Sequence, residues 1–221
     1  IGGDLYEHDY VRKSTISYIN DCFKSIPDIK VVITPGNHDP YTSDSYYRLF
    51  NWSENVHILR PDKPLVELAD LRLCVYGGDF RESIPSVKSS QINILLSHGT
   101  LDMNFGDRVH NPLDSSFLDS LNMDYIALGH IHKRHEALGG KGIIYNPGSP
   151  EPLGFDEPGE HGIFLGTIKK DDNGKSSVSA TFLKVNEKDY QNIVVDISGS
   201  CSDEQTGNII LKSLGDKELS R

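Results

Sequence analysis

The chain has 221 residues, with 32 acidic against 22 basic side chains and a net charge of −10. That length can bury one substantial core. The charge argues against a generally basic nucleic-acid surface, and no apolar run approaches the ~20 residues that a membrane-spanning helix needs.

Taken in chain order, Ile1-Gly2-Gly3-Asp4 reads as the end of a buried strand. Ile16, Ile19, Phe23 and Ile26 recur at steps of three and four, which predicts an amphipathic helix over 11–26, stopped by Pro27. A strand over 30–34 leads into Gly36-Asn37-His38-Asp39, and 42–50 reads as a short helix. Short strands are expected over 56–59 and 71–76, the second closed by Gly77-Gly78. A strand over 92–98 ends in Ser97-His98-Gly99 and is followed by a helix over 114–121. The next strand, 125–129, ends in Gly129-His130-Ile131-His132, and another covers 142–145. Residues 147–162 are rich in Gly, Pro and acids and read as a long loop, a type that is often functional. Segments 162–169 and 177–185 alternate around Asp171-Asp172-Asn173-Gly174, a hairpin signal. A strand over 190–197 and a helix over 203–214 complete the chain. Cys22, Cys74 and Cys201 are far apart; this sparse, odd set suits a reducing, cytoplasmic location and buried small side chains.

Three of these apolar runs stop at a polar, histidine-bearing turn. In α/β proteins, ligands collect at the carboxyl ends of strands. Asp4, Asn37, His38, His98, His130 and His132 are therefore expected to converge on one site. A carboxylate, an amide oxygen and several imidazoles form a ligand set for Mn²⁺, Fe²⁺ or Zn²⁺. Asp4 can bridge two cations, and two metals about 3.5–4 Å apart clamp an in-line displacement at phosphorus. Asp39, next to His38, can orient that ring, which makes the pair candidates for proton transfer or charge stabilisation. Lys133 and Arg134 are local basic residues beside His132. His8, His57, His110, His135 and His161 lack a strand-end context and read as surface or structural residues.

The order Gly3-Asp4, Gly36-Asn37-His38-Asp39, Ser97-His98-Gly99 and Gly129-His130-Ile131-His132 resembles the calcineurin-like metallophosphoesterases. More narrowly, Gly3-Asp4-Leu5-Tyr6, Leu96-Ser97-His98-Gly99-Thr100, Gly129-His130-Ile131-His132-Lys133 and Tyr145-Asn146-Pro147-Gly148-Ser149-Pro150 are similar to the SbcD-type and YhaO-type bacterial DNA repair exonucleases. The likeness extends over most of residues 1–185. It implies an α/β fold, a two-sheet β-sandwich flanked by helices, holding two divalent metal ions, Mn²⁺ first, with Fe²⁺ or Zn²⁺ as alternatives. On the same basis Asp4 is the bridging ligand, Asn37, His98 and His130 complete one metal site, and His132 serves the other. His38 is implied as the catalytic histidine, paired with Asp39.

DNA is the implied substrate, with an SbcC-like ATPase subunit and a second copy of the chain as possible partners, and no membrane. The family's first motif, Asp-x-His, does not precede Asp4, so an N-terminally incomplete chain is expected, binding one metal well and weakly active or inactive. Residues 186–221 would begin a C-terminal cap region. Glu7 stands where several relatives carry histidine. Two other functions compete: a small-molecule phosphodiesterase or phosphatase, and a non-catalytic scaffold subunit at DNA ends.

Overall fold

Short aliphatic runs between polar turns make the strands, and in the computed structural model six of them share one sheet. The structure describes residues 1–77, 87–102 and 110–214. Helix α1 (Lys13–Lys24) precedes β1 (Val31–Ile33), α2 (Tyr46–Leu49), β2 (Val56–Ile58) and β3 (Leu65–Leu68). A 3₁₀ turn (Ala69–Leu71) then leads to β4 (Leu73–Tyr76), β5 (Ile92–His98), β6 (Thr100–Leu101) and β7 (Pro112–Leu113). Next come α3 (Ser115–Ser120), β8 (Tyr125–Gly129), β9 (His135–Leu138), β10 (Ile144–Asn146), the long strands β11 (Gly162–Lys170) and β12 (Ser176–Lys184), and α4 (Asp203–Leu214).

The main sheet has the order β3-β4-β5-β8-β10-β9. Its four inner strands are parallel, and β3 and β9 run antiparallel at the edges. Parallel pairing brings carboxyl ends to one rim, and the register sets His98 beside Gly129. Strands β1 and β2 form a second, parallel sheet, while β11 and β12 form a hairpin. Asp171 holds the hairpin turn by accepting from the Asn173 and Lys175 N–H groups. Helix α2 is capped by the Ser45 hydroxyl and α3 by the Asp114 carboxylate.

Alternation along β5 divides the packing. Leu95 joins Cys74, Tyr76, Ile126 and Ile144 in a core completed by Leu118, Leu121 and Met123 on and after α3. Leu96 points the other way, into a cluster with Leu59, Val66 and Val75. A third cluster joins Ile16 of α1 to Ile33, Tyr6 and Tyr47. The α/β class thus stands as expected, with a multistranded sheet flanked by helices.

Several local expectations change. Residues 1–4 form no strand element, although the Ile1 amino group donates to the Val32 carbonyl and the Ile1 carbonyl accepts from the Thr34 N–H. Residues 190–197 are not a strand: their alternation finds no pairing neighbour among the described residues, and Val194 is 97 % exposed. Strands β3 and β9 carry weak local signals and owe their form to pairing with β4 and β10. Only Cys74 is buried; Cys22 and Cys201 are exposed. Gly78 lies outside the described residues. Among the described residues, no helix is long and apolar enough to cross a membrane.

Ile126 is fully buried in the centre of the sheet. Ile126→Ala should therefore cost about 2–5 kcal/mol, read as a lower urea midpoint at unchanged slope. A loss under about 1 kcal/mol would contradict this packing.

Candidate metal centre

Asp39 organises the loops from which the site is built. Its carboxylate is completely buried. Oδ1 accepts from the N–H of Asp4 (3.0 Å) and of Gly36 (2.5 Å). Oδ2 accepts from the N–H of Leu5 and from the Tyr47 hydroxyl, both at 2.6 Å. Burial and the Asp39 charge push the Tyr47 phenol up, so it stays protonated and donates.

This corrects the expected pairing of Asp39 with His38. Asp39 turns inward, and its oxygens are taken by backbone N–H groups and Tyr47. The His38 ring turns outward instead, and its Nδ1 lies 2.8 Å from Glu7 Oε2. Consecutive residues of a tight turn point apart, so adjacency in sequence did not become contact. Glu7 is a site residue that the sequence reading did not assign. His8 takes no such place and faces Asp44 at 3.5 Å.

Two glycines allow the loops to meet. Gly3 has φ +90°, and a Cβ there would strike the His98 ring and the Gly36 backbone. A Cβ on Gly36 would fall on Asp4 Oδ1. Asp4 itself has φ +55° and accepts the His38 N–H at 2.9 Å on Oδ1. Its other oxygen is thereby turned toward His98, 3.2 Å from Nε2.

His98 ends β5 and is buried. Its Nδ1 lies 2.6 Å from the Gly2 carbonyl, which can only accept, so Nδ1 carries the proton. In the neutral ring the electron pair on Nε2 then faces Asp4 Oδ2, Asn37 Oδ1 (2.9 Å) and His130 Nδ1 (3.1 Å). His130 Nδ1 also lies 2.9 Å from Asn37 Oδ1. The ligand atoms of Asp4, His98 and His130 all fall within 4.8 Å of one another.

These separations fit a cation. Two donors about 2.1 Å from one ion at a right angle would stand about 3 Å apart. His98 Nε2 stands at about that spacing from the other three donor atoms, and His130 Nδ1 from Asn37 Oδ1, an arrangement that a divalent ion relieves. Asp4, Asn37, His98 and His130 are the residues that would hold it. Burial alone would raise the Asp4 carboxyl, but His98, when its ring is doubly protonated, and the His38 N–H hold it below the usual carboxylate range. Burial works against charge on His98, yet Asp4 and the Gly2 carbonyl outweigh it and raise its pKa. Burial and the neighbouring His98 lower that of His130.

His132 is not part of this group. It follows β8 in the same turn, but its Nδ1 lies 2.5 Å from Glu157 Oε1 of the 147–162 loop. Glu157 is a second residue the sequence reading did not assign. His110, read as surface, has its ring centroid 5.3 Å from that of His130 and 5.7 Å from that of His98. Burial, with His98 close by, lowers its pKa. His161 is buried and structural, bridging the Ser149 and Glu157 carbonyls at 3.0 Å each.

Residues 1–134 match the calcineurin-like phosphoesterase family. The chain belongs to that family. Over 213 residues it is 24 % identical to the "Uncharacterized metallophosphoesterase YhaO" of Bacillus subtilis (strain 168), covering 90 % of this chain and 50 % of the relative. The chain therefore spans about half the length of that curated relative. A crystal structure described as "Putative 5'-Nucleotidase from Staphylococcus aureus in complex with alpha-ketoglutarate" aligns with TM-score 0.48 at 15 % identity, over 88 % of this chain and 44 % of that one.

Asp39→Ala separates a structural from a purely catalytic Asp39. Three backbone N–H groups and the Tyr47 hydroxyl would lose their acceptor. Unpartnered buried donors cost about 1–3 kcal/mol each. The variant should unfold at much lower denaturant and lose Mn²⁺ uptake. Wild-type stability with activity alone lost would contradict the assignment.

Proposed function

We propose that this protein hydrolyses DNA phosphodiesters as a repair exonuclease or endonuclease, using two divalent cations, with Mn²⁺ the first candidate. The observation that carries the reading is the convergence of Asp4, Asn37, His98 and His130, with the His38 ring outside that set yet on the same loop. DNA as the substrate is supported by the resemblance of the strand-end motifs to bacterial repair nucleases. An SbcC-like ATPase, a second copy of the chain, a cap region beginning near residue 186 and a cytoplasmic location belong to the same proposal.

Bound divalent ions supply Lewis-acid neutralisation of the phosphoryl oxygens and a nucleophile at neutral pH. The chain's own residues position everything else. Asp39 fixes the Asp4 backbone, and the His38 N–H fixes the Asp4 carboxylate. Glu7 accepts from His38 Nδ1, which leaves Nε2 to give a proton to the departing oxygen. The His38 side chain is 54 % exposed, so a polymeric substrate can reach it without a buried channel. Lys133 and Arg134 stand beside His132, and the Arg134 guanidinium lies 4.1 Å from the Phe182 ring centroid. Both can meet phosphates locally despite the acidic total charge.

The test is Mn²⁺-dependent degradation of linear DNA, with a chromogenic phosphodiester assayed in parallel. His38→Ala should keep its metal and lose about 10²–10⁴-fold in turnover, whereas Asp4→Ala should lose the metal, and a chelator should abolish wild-type activity. Wild-type turnover by His38→Ala would refute its role. Hydrolysis of the diester alone, with DNA untouched, would replace this proposal by the small-molecule phosphodiesterase.

A further inference from the structure

The loop between β10 and β11 carries a carboxylate onto the second histidine of the Gly-His-Ile-His turn. Glu157 Oε1 lies 2.5 Å from His132 Nδ1, and the Glu157 side chain is only 16 % exposed. Its other oxygen accepts from the Leu153 N–H at 3.0 Å and the Ser149 hydroxyl at 3.3 Å. The Glu157 backbone is held by the buried His161, whose Nε2 meets the Glu157 carbonyl. The loop is also fastened to His132 itself: the Ser149 N–H donates to the His132 carbonyl at 3.1 Å. A Cβ on Gly148, which has φ +78°, would strike that same carbonyl oxygen. The contact is therefore built into the loop rather than made by two free surface chains.

We propose that Glu157 is a positioning residue for His132. By accepting the Nδ1 proton it fixes the tautomer and leaves the electron pair on Nε2, for a second divalent cation. The inference rests on the metal-dependent activity proposed above. His98 shows the same device with another acceptor, its Nδ1 proton going to the Gly2 carbonyl while Nε2 faces the donor cluster. The acceptor differs: for His132 it is a side-chain carboxylate, for His98 a backbone carbonyl. Outer partners of this kind are worth about 10- to 100-fold in metal affinity.

The experiment uses ¹⁵N-labelled protein and two variants. In the metal-free wild type above neutral pH, long-range ¹H–¹⁵N imidazole spectra should show the His132 proton on Nδ1. Glu157→Ala should release that preference, and Glu157→Gln, whose amide oxygen still accepts, should retain it. In Mn²⁺ titrations Glu157→Ala should weaken the more weakly held ion by about 10- to 100-fold and leave the tighter one unchanged, with Glu157→Gln restoring most of the loss. A wild-type proton on Nε2, or a Glu157→Ala protein with both the spectrum and the affinities unchanged, would overturn the proposal. A wild type that binds no Mn²⁺ would refute the proposed function, while the metal-free spectra would still decide the pairing of Glu157 with His132.

Discussion

The site depends on one buried negative charge. A carboxylate as deeply buried as Asp39 would cost several kcal/mol if left without partners. Four short hydrogen bonds offset that cost, and each comes from a segment that must be placed. Asp4 and Leu5 are drawn to the end of β1, the Gly36 turn is closed, and Tyr47 anchors α2. The orientation of the Asp4 carboxylate follows from this, because its backbone is fixed on one side and its Oδ1 on the other. Asn37 lies within the turn that the same carboxylate closes.

The second constraint is the parallel sheet. Pairing between β5 and β8 runs from Ile94 and Tyr125 to His98 and Gly129, so both strands deliver their terminal polar residues to one rim. The opposite end of the sheet is closed by a different arrangement. There the Asp124 carboxylate accepts from the Asn93 N–H at 2.7 Å and from Lys170 Nζ at 3.0 Å, which ties the long hairpin to the sheet. One end thus holds electron pairs facing one another for a cation, and the other holds an ion pair already satisfied. The same strands support both without mixing their chemistry.

Much of this was legible in the sequence because the signals are local. Runs such as Ile92–His98 specify a buried strand by composition, and Gly3 and Gly36 mark the close approaches that the ligand loops require. The convergence of Asp4, Asn37, His98 and His130 could be read from apolar runs that each stop at a polar turn, although only β5 and β8 share a rim of the main sheet: β1 pairs with β2, and residues 1–4 form no strand. What could not be read was direction. Asp39 and His38 are neighbours in sequence, but a tight turn sends one into the core and the other to Glu7. The partner of His132 comes from a loop 25 residues away, held by its own hydrogen bonds, with no periodic signal to announce it. The alternation over 190–197 failed for the complementary reason: a strand needs a neighbour, and none is present among the described residues.

The proposed function rests on a divalent cation held among Asp4, Asn37, His98 and His130. The most direct measurement is an anomalous-difference map from crystals of the protein grown with Mn²⁺. A peak is expected within coordination distance of Asp4 Oδ2, Asn37 Oδ1, His98 Nε2 and His130 Nδ1. No peak there at saturating Mn²⁺, or a peak elsewhere with none among these four atoms, would contradict it.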